Sequence, residues 1–127
     1  MVQDEYYRQF GYERISQDMV TGLQDVGHQG IDGVYHNPNG HPPYIISEAK
    51  FTSGNNSPTL GKTRDGRQMN NRWIDNRLDE VVSEEHAVNI RKSLFMRSGD
   101  VQSNLFNIKN NGDIIINQLD SAAKKMK

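Results

Sequence analysis

Apolar residues in this chain come in short runs separated by turn-forming polar stretches, and the spacing within each run predicts the element it builds. Tyr6, Tyr7 and Phe10 are followed by Gly11, which predicts a helix over 3–10 capped at the glycine. Residues 12–16 alternate weakly and read as a strand, while 21–30 are polar and glycine-containing, hence loop. Apolar runs over 31–36 and 44–51 read as two further strands. They are joined through Asn37-Pro38-Asn39-Gly40, a strong turn signal, and Pro42-Pro43. Ser, Asn, Gly and Pro fill 52–61, a second loop. Trp73, Ile74, Arg77, Leu78, Val81 and Val82 then form a stripe at helical spacing within a helix over 65–82. A further helix over 84–97, stopped by Ser98-Gly99, is expected to bury Ala87, Ile90, Leu94 and Phe95. Residues 105–109 and 113–119 flank Asn110-Asn111-Gly112 as a β-hairpin. The order helix, strands, helices, strands predicts a mixed α/β or α+β domain.

A length of 127 residues suits one domain, 1–127, with a single modest core. The chain has no cysteine, which excludes disulfide scaffolds, cysteine zinc sites and thiol catalysis. No stretch approaches a membrane span and no signal peptide is visible. The net charge of −1 gives no global attraction to nucleic acid. Locally, however, Lys62, Arg64, Arg67, Arg72 and Arg77 outnumber Asp65 and Asp75, and Lys124, Lys125 and Lys127 sit in the tail. Asp79, Glu80, Glu84 and Glu85 form an acidic counterpart.

The two middle strands carry the candidate chemistry. Alternation puts Glu48 and Lys50 on one face, and a hairpin centred near Gly40 sets Asp32 opposite Glu48 on that same face. Ile45 and Ile46 lead into Ser47 and Glu48 without a break, as in a central strand, where charged side chains need a reason. Two carboxylates and a lysine suit metal-dependent phosphodiester cleavage, because Mg²⁺ and Mn²⁺ prefer carboxylate and carbonyl oxygens. Asp32 and Glu48 would be direct ligands, the backbone carbonyl of Ala49 a third, and water would fill the rest. Lys50, kept charged by the carboxylates, would orient the attacking water and stabilise the transition state. A cross-strand ion cluster on a strand face would use the same three residues. His36 shares the Asp32 face and is a candidate substrate contact, whereas His28, His36 and His41 together fit no metal-ligand spacing. Lys62, Arg64, Arg67 and Arg72 are candidate phosphate contacts, or a solvated helix face.

Gly30-Ile31-Asp32-Gly33-Val34-Tyr35, Asn37-Pro38-Asn39-Gly40, Ile46-Ser47-Glu48-Ala49-Lys50-Phe51 and Asp65-Gly66-Arg67-Gln68-Met69 with Trp73-Ile74 span roughly residues 11–82. In combination they resemble the PD-(D/E)xK nuclease toxins. These are the restriction-endonuclease-like C-terminal domains of polymorphic bacterial toxins, of the Rhs and contact-dependent growth inhibition kinds. The resemblance implies a mixed central β-sheet flanked by helices and a Mg²⁺-dependent (or Mn²⁺-dependent) endodeoxyribonuclease. By position, Asp32 matches the first metal ligand, Glu48 the second and Lys50 the catalytic lysine. Gln68 matches a glutamine on the next helix that would bind a phosphate or hold the metal-bound water. No proline precedes Asp32, so the motif is not met literally. For the further glutamate that the family carries on its first helix, Glu5 is the nearest candidate and Glu13 a poorer one. Trp73 reads as core rather than as a base-stacking platform.

The resemblance also implies a larger secreted or surface-delivered protein, of which this is the C-terminal part. It would act in the cytoplasm of a rival bacterium and be blocked by a cognate immunity protein. Two other readings compete with a DNase. One is a toxin of the same fold that cleaves tRNA or other RNA. The second is a non-enzymatic binding module whose Asp-Glu-Lys group is a buried salt bridge.

Overall fold

A computed structural model describes residues 2–16, 31–54, 58–63 and 66–126. The elements in chain order are α1 (Val2–Arg8), β1 (Glu13–Arg14), β2 (Gly33–His36), β3 (Tyr44–Thr52), β4 (Lys62–Thr63), β5 (Gly66–Arg67), α2 (Asn71–Asp75), α3 (Leu78–Val81), α4 (Glu84–Met96), β6 (Val101–Lys109) and β7 (Ile114–Leu119). The fold is α+β: a five-stranded mixed sheet in the order β1-β2-β3-β6-β7, with β4 and β5 as a separate two-stranded ribbon. Strands β1, β2 and β3 form an antiparallel meander, and β6 and β7 an antiparallel hairpin. The helices α2 to α4 carry the chain over so that β6 lies parallel to β3. Among the described residues, no helix is long and apolar enough to cross a membrane.

Central placement of β3 explains its apolar start. Val34, Ile46, Leu105 and Leu119 pack with Trp73, Ile74, Leu78, Val81, Ala87 and Ile90 in the main core, between the sheet and the helices α2–α4. Alternate positions of the same strands, Tyr35, Ile45 and Phe106, meet Tyr7 and Tyr12 in a smaller aromatic cluster on the α1 side. Each face is thus filled by one parity of β3, and Glu48 and Lys50 share the parity of Ile46.

The turn after β2 behaves as its sequence suggests. Asn37 Oδ1 accepts from the Asn39 N–H, and the Gly40 N–H donates to the Asn37 carbonyl. Pairing runs His36↔Tyr44, Tyr35↔Ile45, Val34↔Ile46 and Gly33↔Ser47, so the hairpin is centred on Gly40. Asp32, one residue beyond the ladder, lies close enough to Glu48 to raise its pKa.

Other elements depart from expectation. The single helix expected over 65–82 is instead a ribbon strand, a turn and two short helices. Gly66 and Met69 adopt positive φ (94° and 73°), which no helix admits. Asn70 then caps α2, its side chain accepting from the Trp73 N–H. Between α2 and α3 the Arg77 N–H bonds the Ile74 carbonyl, a tighter turn that separates the helices. The expected stripe of Trp73, Ile74, Leu78, Val81 and Val82 is nevertheless buried. In α4, Ala87 and Ile90 are buried but Phe95 is 89% exposed. It lies about 100° around the helix from Leu94, off the inward stripe. Arg97 in the left-handed region closes α4. The loop expected over 21–30, with His28, lies outside the described residues, as do Arg64 and Asp65.

Candidate active site

Beyond the apolar end of β3 the core-facing side of the sheet turns polar. Glu48 is 3% exposed at the floor of this region, and Lys50, two residues on, reaches the solvent side. Asp32 sits in the bend that leads into β2, and its Oδ2 accepts from the Ala49 N–H at 2.9 Å. The Lys50 ammonium is 3.5 Å from Glu48 Oε2 and 3.5 Å from Gln68 Oε1. Gln68, itself buried, donates from Nε2 to Glu48 Oε2 at 3.1 Å. Its Oε1 accepts from the Gly61 N–H at 3.2 Å, and the backbone N–H of Gln68 returns a bond to the Gly61 carbonyl at 2.8 Å. The β4–β5 ribbon is thereby clasped against β3 with Gln68 as the contact. Gln68 therefore reaches the site from the turn after β5 and not from a helix, a correction to the expectation.

The electrostatics of Glu48 are unusual. Burial pushes its carboxyl up to about 8, the Asp32 carboxylate adds to the rise, and Lys50 opposes it. Oε2 is held by Gln68 and Lys50, but Oε1 is buried with no hydrogen-bond partner among the described residues. A buried carboxylate oxygen left bare is costly unless a proton or a cation occupies it. Two carboxylates, one on β3 and one in the bend before β2, with one buried oxygen unmatched among the described residues, and a lysine to balance their charge make a donor set that fits a hard divalent cation. Among the described residues no group of three or more His, Cys, Asp or Glu side chains gathers elsewhere or here. A cation at this pair would take its remaining ligands from peptide carbonyls, as proposed for Ala49, and from water.

Of the other residues singled out in the sequence, some are near and some are not. Lys62 and Arg67 face each other across the ribbon that Gln68 anchors, and both are exposed. Arg72 lies on α2, in a cleft with Asp75, Arg91 and Phe95. Glu5 is on the opposite side of the sheet, in the solvent and ion-paired with Arg8. His36 shares the Asp32 face but lies four residues up the strand, about 13 Å away. It stacks on Tyr44 and faces His86, and Tyr44 in turn is hydrogen-bonded to His86. Burial and then His86 lower the His36 pKa, against Glu13. Trp73 is core, its ring covered by the Arg77 guanidinium at 4.5 Å.

Two groups near the site escaped sequence reasoning. Asn107 pairs in register with Lys50, is buried, and accepts from the Thr52 hydroxyl at 3.0 Å, extending the polar face onto β6. Arg14 donates to the Asp32 carbonyl at 2.8 Å. An inward-facing charge in the alternating stretch 12–16 was the available signal for Arg14. No protein-family model, curated protein or solved structure matches this chain.

Proposed function

We propose that this domain hydrolyses phosphodiesters with a divalent metal, as a DNase toxin of the PD-(D/E)xK kind with a restriction-endonuclease-like core. The observation that carries the reading is the gathering of Asp32 and Lys50 around the buried Glu48 carboxylate, whose Oε1 has no hydrogen-bond partner among the described residues. A five-stranded mixed sheet with helices against it agrees with the core that the resemblance implies.

Asp32 and Glu48, with the Ala49 carbonyl, would hold Mg²⁺ or Mn²⁺. When bound, such an ion supplies Lewis-acid polarisation of the phosphoryl group and a more acidic water. Lys50, outside the ligand set, aims a positive charge at the same space. It would orient the nucleophilic water and offset charge developing on the phosphoryl oxygens. Gln68 fixes one oxygen of Glu48 and so aims the other. Lys62 and Arg67 on the exposed ribbon would follow the phosphate backbone. In this reading the toxin is delivered as part of a larger protein into a competing cell, and a cognate immunity protein covers the site in the producer.

Supercoiled plasmid and total tRNA, each incubated with Mg²⁺, with EDTA, and with Glu48→Ala, test the reading. Plasmid loss that requires both Mg²⁺ and Glu48 is expected. Cleavage of tRNA alone would keep the site and change the substrate to RNA. Cleavage of neither would leave the cluster a structural ion group and remove the nuclease reading.

A further inference from the structure

We infer that Arg14 is a positioning residue for Asp32, through which α1 on the far face of the sheet sets the carboxylate pair. The inference rests on the metal-dependent reading above.

Asp32 precedes β2 and therefore lies outside the strand ladder that orders Glu48. Among the described residues, two contacts anchor it instead. The Ala49 N–H holds its carboxylate, and Arg14 Nη2 holds its backbone carbonyl. Arg14 is itself enclosed, its side chain only 15% exposed, and its planar fork is shared among three elements. Nη1 donates to Asp4 Oδ1 on α1 at 2.9 Å, and Nε donates to the Ser16 carbonyl at 3.1 Å. Asp4 also accepts from the Tyr35 hydroxyl. Burial pushes the Asp4 carboxyl up, but the bonds from Tyr35 and Arg14 outweigh this and hold it below the usual carboxylate range. The acid on the first helix that communicates with the site is thus Asp4, one residue before the Glu5 picked from the sequence, and it acts through a guanidinium rather than as a ligand.

Only an arginine spans these acceptors. A lysine carries one ammonium and no rigid fork, so it would keep the Asp4 ion pair or the Asp32 carbonyl, not both. Loosening Asp32 alters the distance between the two carboxylates, on which cation affinity depends, without removing any ligand.

Mn²⁺ binding to the whole domain, followed by electron paramagnetic resonance of the free ion, measures this directly beside the metal-free melting temperature. Arg14→Lys is expected to weaken Mn²⁺ binding about tenfold, in the range found for groups that orient metal ligands. Asp4→Asn is a second arm, expected to act in the same direction and by less, because Arg14 keeps Asp32 but loses its own anchor. A lower metal-free melting temperature with unchanged Mn²⁺ affinity in both variants would make the network purely structural and overturn the inference, leaving the proposed function intact. A wild-type domain that binds Mn²⁺ no better than Glu48→Ala would overturn the proposed function and this inference with it.

Discussion

Gln68 Nε2 donates to Glu48 Oε2 at 3.1 Å, while Oε1 of the same carboxylate has no hydrogen-bond partner among the described residues. One oxygen is clamped by the ribbon, and the Asp32 carboxylate lies close enough to add to the rise of the Glu48 pKa. Gln68→Ala removes the clamp and also strips the Gly61 N–H of its side-chain acceptor. It is expected to lower stability by about 1–3 kcal/mol, the cost of leaving buried polar groups unmade. Cleavage should fall roughly 10- to 100-fold, because Glu48 loses its orientation. Urea unfolding and plasmid nicking read the two effects separately.

Glu48 makes the metal-free protein sensitive to alkali. Its carboxyl titrates near 8 when folded against an ordinary 4.5. Below the lower value the group is neutral in both states and costs nothing. As the pH rises through the interval, the unfolded chain has released a proton that the folded chain still holds, so stability falls until the folded group ionises near 8. The loss is on the order of a few kcal/mol. Urea midpoints in EDTA at acid, neutral and alkaline pH should decline for the wild type relative to Glu48→Gln, which keeps the shape without the titration. Parallel curves would contradict the buried-carboxyl account.

Metal and proton compete for the same oxygen under the proposed function, which ties ligand stabilisation to pH. Saturating Mn²⁺ should raise the melting temperature by mass action, and by more at alkaline than at mildly acid pH, since Glu48 must be ionised to bind. EDTA should reverse the rise, and Asp32→Asn should reduce it. A shift of equal size in Glu48→Ala would place the cation elsewhere.

What was legible in the sequence was what alternation and turn chemistry control. Asn37 and Gly40 centre the first hairpin, and alternation over Ile46, Glu48 and Lys50 then brings Asp32 close to Glu48. The terminal hairpin around Gly112 was legible for the same reason, although β6 begins earlier than its apolar core, at Val101. Where backbone exceptions intervene, periodicity misleads. The apolar stripe of Trp73 to Val82 is real, but Gly66, Met69 and the Asn70 cap keep Gln68 out of any helix. Contacts between remote segments leave no local pattern at all. Nothing near Arg14 announces that it meets Asp4 and Asp32 together, and only the pairing register shows Asn107 beside Lys50. Shared parity was also insufficient for His36, which has the face of Asp32 but not its height on the strand.

Lys50 separates binding from chemistry. It contacts Glu48 Oε2 but is no ligand in the proposed site, so Lys50→Met should leave Mn²⁺ affinity equal or tighter by removing a competing positive charge. The cleavage rate at saturating metal should nevertheless fall about 100-fold or more, the scale for losing a preorganised charge at a transition state. Mn²⁺ titration and single-turnover cleavage on the same preparation decide it. Loss of binding in step with loss of rate would recast Lys50 as a structural counter-ion.

Gly33 is required by the ring two residues ahead. A Cβ there would meet the Tyr35 hydroxyl at 2.6 Å and its Cε2 at 2.8 Å, inside any real contact distance. The ring has little room to yield, because Tyr35 is fully buried and its hydroxyl is bound to Asp4. Gly33→Ala must therefore displace either Tyr35 or the start of β2, and both disturb the network that holds Asp32. A loss of about 1–3 kcal/mol is expected, typical of overpacking in a closed site. Gly61→Ala is the control, since its nearest foreign atom is Gln68 Oε1 at an ordinary 3.9 Å, and its cost should stay within about 0.5 kcal/mol. Chemical denaturation of the two variants side by side distinguishes a steric requirement at Gly33 from a general intolerance of the site to added methyl groups.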